Sequence, residues 1–298
     1  MVRQYKIHTN LDGTDDKVWD VTNGKVRFYQ PSNLGLQSTN NIWQSNGIGV
    51  MGTRSITQPQ IEFKLETFGE SLEENYRLMK DFINDILNQK FVTLEYQTEI
   101  FQVYADLALA DITKTEGYGK NGTFSEKITF DIITKWYTYE NLTFDMVQNG
   151  KVISGKSKIY GGTAPGYYKY VKGTSYTYYG ETNIERLSRW DIKDEIFSFM
   201  GILYPKLPKT PTGVRFLDDI GNEYTAIVFK TEQVQNYILI NTDVNDEIYQ
   251  GWNGTTSLNL FPVMDFERYR TRIIERGQME LINLTKAEFK IKRKADFV

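Results

Sequence analysis

Apolar and polar residues alternate along much of the first 135 residues of the chain. Ile61, Phe63 and Leu65 are separated by charged residues, and the same two-residue period recurs in residues 92–96 and 128–132. Such alternation is typical of a β-strand that buries one face. We therefore predict an N-terminal β-sandwich domain.

An Asn-Gly pair marks a candidate turn near the start of this domain. Asn23-Gly24 separates the apolar-rich residues 18–21 from residues 26–29. Both central residues of a type I′ turn need positive φ, which Asn and Gly tolerate best. The pair predicts a two-residue hairpin between the two flanking segments.

One segment, residues 71–90, has a helical period instead. Ser71 and Glu74 match the capping box that begins many helices, and Lys90 lies where the negative end of the helix dipole favours a cation. The apolar residues recur at spacings of three and four and fall on one predicted face: Leu72, Tyr76, Met79, Ile83, Ile86 and Leu87. The sequence predicts a single α-helix packed against the sheet.

A second β-rich region follows from residue 136. Short apolar segments are separated by turn signals such as residues 218–222, a spacing that suggests a second β-sandwich. We predict an N-terminal domain of residues 1–135 and a second domain of residues 136–284. Residues 285–298 form a basic final strand with no obvious place in the second core, so we expect it to return to the first domain.

A glycine-rich stretch between residues 111 and 127 is a candidate inter-subunit arm. Tyr118, Lys120 and Asn121 lie at its centre, among several glycines. Unpaired strand edges favour strand addition across an interface, so these three residues could reach a neighbouring subunit. An ordinary long hairpin is the alternative.

A second insertion, about residues 146–188, differs in composition from the rest of the chain. Within it, residues 149–180 hold seven glycines, seven tyrosines, five lysines and no acidic residue. Aliphatic residues are too few for a separate core, so the segment is predicted to be an extended arm. Its tyrosines are candidate anchors for an acidic partner protein: Tyr160, Tyr167, Tyr168, Tyr170, Tyr176, Tyr178 and Tyr179.

Composition narrows the class of protein. The 298 residues carry a formal net charge of -3 and include no cysteine, which excludes disulfides and thiolate metal sites. No apolar run is long enough for a membrane span, and the first eight residues do not resemble a signal peptide. We expect a protein that assembles in a reducing cytoplasm and contacts neither membrane nor specific DNA sequences.

The sequence contains few candidate catalytic or ligand-binding motifs. His8 is the only histidine, and the glycines around Gly47 lack the spacing of a nucleotide fingerprint. Residues 241–247 alternate oxygen ligands like the start of a calcium loop, but Asp246 stands where the loop needs glycine and Trp252 where it needs glutamate. The sequence predicts a non-enzymatic protein without cofactors, in which 241–247 is an inter-strand loop.

The C-terminal strand carries a cluster of cations. Alternation with Phe289 and Ile291 favours a solvated strand face over a surface for passing DNA. The cluster consists of Lys286, Lys290, Lys292, Arg293 and Lys294.

Two stretches connect this architecture with a known family. Residues 5–14 (YKIHTNLDGT) and 189–197 (RWDIKDEIF), together with the order of the elements, resemble the distal tail proteins (Dit) of lactococcal siphophages. The likeness extends over essentially the whole chain. It implies a galectin-like second sandwich carrying the arm, and a homohexameric ring formed by the N-terminal domain with its extended hairpin.

The resemblance also implies partners and a location. Such a ring joins the tail tube to the tip hub protein, lets DNA pass without specific binding, and anchors trimeric receptor-binding proteins through the arm for host attachment. The location would be the tail tip of the virion. A carbohydrate-binding, lectin-like protein is the alternative, because aromatic residues can stack on sugar rings. Glycan titration and a native mass measurement would separate the two.

Overall fold

The chain divides into two compact units in a computed structural model. The first comprises Met1–Thr138 and Ala295–Val298, and the second comprises Tyr139–Lys294. The structure describes these residues: 3–13, 15–35, 37–57, 60–114, 122–145, 147–148, 151–152, 189–206, 211–230, 234 and 236–295.

The first unit is a curled antiparallel sheet with one helix. The strands are β1 (Gln4–His8), β2 (Val18–Asp20), β3 (Val26–Ser32), β4 (Gln37–Ser45), β5 (Ile48–Thr57), β6 (Gln60–Thr67), β7 (Val92–Gln97), β8 (Gln102–Thr113) and β9 (Ser125–Ile132). They pair in the order β3-β6-β9-β8-β7-β1-β2, and the Phe28 amide donates to the Val21 carbonyl at 2.7 Å, which draws the two ends of the sheet together. A pair of strands, β4 and β5, stands apart from this sheet.

The predicted helix is confirmed as α1 (Leu72–Leu87). The Ser71 hydroxyl accepts a hydrogen bond from the Glu74 amide at 3.2 Å, as the capping signal indicates. Asn75, which is fully buried, accepts from the Gly69 amide through its side-chain oxygen at 2.6 Å and so ties the preceding turn to the helix.

The buried face of α1 differs from the predicted one. Met79, Phe82 and Ile86 lie in the core, where the Phe82 ring meets Trp19 and Phe28 edge-on. The predicted face was wrong at three of its apolar positions, which are exposed instead: Leu72 by 51%, Tyr76 by 64% and Leu87 by 62%.

The predicted hairpin at Asn23-Gly24 is also wrong. Strand β2 pairs with β1, and β3 pairs with β6, so no ladder joins β2 to β3. Neither residue has positive φ. The Asp20 carboxylate accepts from the amides of Thr22 and Asn23 and holds a local turn of another kind.

The second unit is a two-layer β-sandwich. The strands are β10 (Tyr137–Asp145), β11 (Val147–Gln148), β12 (Lys151–Val152), β13 (Arg189–Ile192), β14 (Ile196–Pro205), β15 (Thr212–Leu217), β16 (Glu223–Phe229), β17 (Tyr237–Asn241), β18 (Ile248–Asn253), β19 (Thr256–Asn259), β20 (Gly277–Ile282) and β21 (Leu284–Lys294). One sheet has the order β19-β18-β17-β14-β21-β10, and the other has the order β13-β20-β15-β16. Strands β11 and β12 form a separate short pair.

The sandwich core draws on both of these sheets. Phe199 and Ile238 come from one sheet, and Phe216 and Phe229 come from the other. Together with the single α-helix of the described residues, this arrangement confirms the predicted mainly β fold. The galectin-like label for the second sandwich stays a prediction.

The final strand does not return to the first unit. Strand β21 pairs with β14, with Ile291 opposite Phe199 and Phe289 opposite Gly201. Phe289 and Ile291 lie in the core of the second unit, 3% and 1% exposed. Only the end of the chain, from Ala295, belongs to the first unit. The expectation for residues 285–298 was therefore wrong for nearly the whole strand, because its alternating apolar residues complete the second sandwich.

Candidate functional site

The most prominent surface feature of the first unit is a projecting hairpin. In the β3–β6 ladder Val26 pairs with Thr67, and in the β4–β5 ladder Gln37 pairs with Thr57 and Ser45 with Ile48. The two ladders share nearly the same antiparallel register, so β4 and β5 extend the hairpin whose root lies in the core. We call strands β4 and β5 with their turn the hairpin arm.

A two-residue turn closes the hairpin arm. Asn46 and Gly47 both have positive φ, 52° and 78°. This is the geometry of a type I′ turn, whose twist matches that of the flanking strands. The Asn-Gly signal, which is wrong at positions 23 and 24, holds at this second position.

Large apolar side chains cover the hairpin arm and face solvent. Trp43 lies opposite Val50, and Ile42 lies opposite Met51. Neighbouring pairs in a ladder point to opposite faces, so both faces of the arm are apolar. The exposed fractions are 53% for Ile42, 70% for Trp43, 70% for Ile48, 64% for Val50 and 49% for Met51.

Such an arm is suited to an interface. A two-stranded hairpin is marginally stable alone in water, and a contiguous exposed apolar surface marks an interaction site. Arg54 is the only charged residue of the arm, and its guanidinium Nε donates to the Asn40 side chain at 3.0 Å. Interface centres are depleted of charge in the same way.

The site residues predicted from the sequence lie outside the described residues. This applies to Tyr118, Lys120 and Asn121, although the flanking strands β8 and β9 pair up to Thr113 and Lys127. It applies equally to the tyrosines of the second insertion: Tyr160, Tyr167, Tyr168, Tyr170, Tyr176, Tyr178 and Tyr179.

His8 is fully engaged by carboxylates. Its Nδ1 lies 2.6 Å from Asp16 Oδ2, and its Nε2 lies 2.8 Å from Glu95 Oε2. Lys6 Nζ contacts the second oxygen of Glu95 at 3.0 Å. Because both ring nitrogens have carboxylate partners, the ring cannot also accept a proton from a nucleophile.

The calcium-like loop is occupied by a lysine. Lys292 Nζ lies 2.9 Å from Asp243 Oδ2, and both side chains are nearly buried. The Asp243 amide donates to the Asn241 side chain, and the Asn245 amide donates to Asp243 Oδ1. The oxygens that resembled metal ligands serve turn hydrogen bonds and an ion pair. Within the described residues, no group of three His, Asp or Glu side chains could hold a metal ion.

Four of the five cations of the basic C-terminal strand have carboxylate partners within the second unit. Arg293 contacts Glu140 at 3.4 Å and Asp194 at 3.1 Å. Lys286 pairs with Glu288, and Lys290 lies 4.1 Å from the centroid of the Tyr139 ring. Cations with these partners do not form a phosphate-binding surface, so the solvated strand face is the better interpretation.

These features define a structural protein that acts through assembly. No helix of the described residues is long and apolar enough to cross a membrane. Two family models divide the chain between them: "Distal tail protein, N-terminal domain" matches residues 4–133, and "Dit, C-terminal domain" matches residues 135–298. The chain therefore belongs to the distal tail protein (Dit) family, and it is a structural component of the phage tail and not an enzyme.

Full-length relatives agree with this assignment. The distal tail proteins of Lactococcus phages p2 and SK1 are 93% and 91% identical to this chain over all 298 residues, which is the full length of each relative. A chain of the phage P2 baseplate, solved in its activated conformation with Ca, is 93% identical, with both chains fully covered and a TM-score of 0.79. The Dit protein of phage SPP1 shares the fold at 10% identity, with a TM-score of 0.53 and 98% of each chain covered.

Proposed function

We propose that this protein is the hub of a phage baseplate, in which six copies close into a ring that joins the tail tube to the tip hub protein. The exposed apolar hairpin arm carries this proposal, since the described part of its own unit leaves it uncovered. A relative sharing 93% of its residues is a distal tail protein, and a chain equally similar belongs to the phage P2 baseplate.

One arm on each copy is compatible with a ring. An arm that docks on a different surface of the next copy forms a heterologous interface, and such interfaces generate rings when the rotation closes. We infer that DNA passes through such a ring without specific binding, because the formal net charge of -3 gives the chain no overall attraction to nucleic acid.

Native mass spectrometry tests the ring. The unmodified protein should give hexamers or stacked hexamers at micromolar concentration. The double variant Trp43→Ser/Val50→Ser should stay monomeric, because it removes a cross-strand apolar pair from the arm. Ile100→Ser is the matched control, since Ile100 is 78% exposed and lies outside the arm. A monomeric unmodified protein, or rings from the double variant, would contradict the proposal.

We further propose that residues 146–188 grip the trimeric receptor-binding protein through their tyrosines. The composition of residues 149–180 supports this role: tyrosine provides large contact area at small entropic cost, and five lysines without a carboxylate suit an acidic partner. Replacing residues 153–188 with a short Gly/Ser linker should abolish capture of that trimer and leave the ring intact. Capture at unchanged affinity would contradict this binding role. Loss of the ring would show that the segment is needed for ring assembly.

A further inference from the structure

The turn that closes the hairpin arm consists of a chemically labile pair, Asn46 and Gly47. Asparagine is among the thermolabile residues of proteins. It is most labile before glycine, because the next backbone nitrogen can close a five-membered ring on the side-chain carbonyl carbon and glycine has no side chain to obstruct the approach. Both residues are exposed, and a Cβ built at Gly47 would meet no atom within 4 Å. The reacting atoms therefore have open space around them.

The backbone amide of Gly47 is not engaged by the fold. Among the residues that the structure describes, no group accepts a hydrogen bond from this amide, and the Asn46 carboxamide has no partner there either. The turn must open before the nitrogen reaches the side chain. Opening is local, because Asn46 and Gly47 join the ends of a two-stranded ladder, which is marginally stable in water.

The same dipeptide at Asn23-Gly24 is held by its surroundings. The Gly24 amide donates to the Asp20 carbonyl at 3.0 Å, and the Asn23 amide donates to the Asp20 carboxylate at 2.9 Å. A Cβ at Gly24 would come within 2.2 Å of the Asp20 carbonyl oxygen, so this turn is also crowded. Attack by the Gly24 nitrogen first requires the loss of its hydrogen bond, which slows the reaction.

A third pair, Asn253-Gly254, is held by a side chain. The Gly254 amide donates to the side-chain oxygen of Asn236 at 2.8 Å. Asn253 itself is half-buried at the end of β18. The three pairs therefore share their local sequence chemistry and differ in whether the fold occupies the glycine amide.

We propose that Asn46 is a self-modification site of the free subunit, which the Gly47 backbone nitrogen converts into aspartate or isoaspartate, while the pairs at Asn23 and Asn253 are protected. The Gly47 nitrogen loses its proton and bonds to Cγ of Asn46. The bond from Cγ to the side-chain nitrogen breaks, and ammonia leaves with that proton. Water then opens the cyclic imide, at the side-chain carbonyl to give aspartate or at the backbone carbonyl to give isoaspartate. The net reaction consumes one water and releases one ammonia.

The product changes the tip of the hairpin arm in two ways. It adds a negative charge to an arm whose only charged residue is Arg54. Isoaspartate also adds one backbone atom to a turn that fits two residues between Ser45 and Ile48. A subunit that ages before assembly thus carries an altered arm. This inference goes beyond the proposed ring and does not rest on it.

Peptide mass spectrometry tests the proposal, because trypsin places each Asn-Gly pair of the chain on a different peptide. Dilute monomer of the full-length protein, isolated by size exclusion, is incubated in mildly alkaline buffer and sampled over days. We expect the acidic product to form at Asn46 several-fold faster than at Asn23 and Asn253. Equal rates at the three positions, or a faster reaction at Asn23 or Asn253, would overturn the proposal.

Two variants and a denatured sample separate the effect of the fold from that of the local sequence. Asn46→Gln should stop the reaction at this position, since the longer side chain closes a less favourable ring. Asn236→Ala removes the acceptor of the Gly254 amide, so it should raise the rate at Asn253 several-fold and leave the rate at Asn46 unchanged. In guanidinium chloride the three rates should converge. Rates that still differ in denaturant, or a rate at Asn253 that Asn236→Ala does not change, would contradict protection by the fold.

Discussion

His8 Nε2 lies 2.8 Å from Glu95 Oε2, in a buried pair that joins β1 to β7. The other ring nitrogen faces Asp16 at 2.6 Å, on the turn between β1 and β2. A neutral imidazole has one N–H donor and can satisfy only one of the two carboxylates, so this geometry selects the doubly protonated ring. The only histidine of the chain is thus a cation that ties a surface turn to the sheet.

We expect this site to make stability depend on pH in two directions. Burial lowers the pKa of His8, but hydrogen bonds to Glu95 and Asp16 outweigh it and the pKa is raised above the usual 6.5. Its contribution is fully present below pH 6.5 and is lost as the pH rises through the raised pKa. The hydrogen bond from His8 lowers the pKa of Glu95 from 4.5 to about 2, so that contribution is lost as the pH falls below 4.5. The site should stabilise most between pH 4.5 and pH 6.5.

Two measurements check this expectation. The single imidazole resonance of the protein reports the pKa of His8 directly by NMR, and Asp16→Asn should lower that pKa. His8→Gln should reduce the free energy of unfolding by about 1.5–3 kcal/mol at pH 6, since hydrogen bonds to charged groups contribute that much. The reduction should shrink above the raised pKa. A His8 pKa below 6.5, or a cost that does not change with pH, would contradict the assigned ion pairs.

Truncation tests the corrected place of the final strand. A chain ending at Asn283 loses β21 and with it Phe289 and Ile291 from the core of the second unit. We expect the second unit to become sensitive to limited proteolysis while the first unit stays resistant. A chain ending at Lys294 is the matched control and should keep the second unit intact. Proteolysis of the first unit alone after truncation at Asn283 would instead support the prediction that this strand belongs to the first unit.

The buried ion pair in the calcium-like loop gives a third prediction. Lys292→Met should cost about 3–5 kcal/mol, because it leaves the Asp243 carboxylate nearly buried without its cation. The double variant Lys292→Met/Asp243→Asn should recover part of that loss. Chemical denaturation of the two single variants and the double variant measures the coupling. Additive losses would mean that the two side chains do not interact, and the occupied loop should show no shift in melting temperature with calcium.

How far the sequence predicts this fold is clear from two of its Asn-Gly pairs. The same dipeptide occurs at positions 23 and 46, and only the second forms a type I′ turn. At the first, Asp20 captures the following amides, while β2 and β3 take other partners in the sheet. Local chemistry predicts a turn at both positions. Which strands then pair depends on residues far away in the sequence.

The surface predictions failed for a related reason. Periodicity placed Leu72 and Tyr76 in the core, because it registers where apolar residues recur and not which of them the tertiary fold covers. Phe82, which was not assigned to the buried face, is fully buried. The cations of β21 suggested a strand foreign to the second sandwich, because the carboxylates that neutralise them, such as Glu140 and Asp194, lie far away in sequence.

The near absence of charge on the hairpin arm leads to the last prediction, which concerns salt and temperature. An assembly held by ion pairs weakens as salt rises, because the screening length falls from about 10 Å at 0.1 M to about 3 Å at 1 M. The arm carries a single charged residue, Arg54, and an exposed ion pair contributes only about 0–1 kcal/mol. The fraction of the proposed hexamer should therefore change little up to about 1 M sodium chloride, rise in sulfate and fall on cooling, since hydrophobic association weakens at low temperature. Analytical ultracentrifugation of the unmodified protein at each salt concentration and temperature measures this. Rings of the unmodified protein that dissociate in sodium chloride would show that charge, and not the apolar hairpin arm, holds the assembly together.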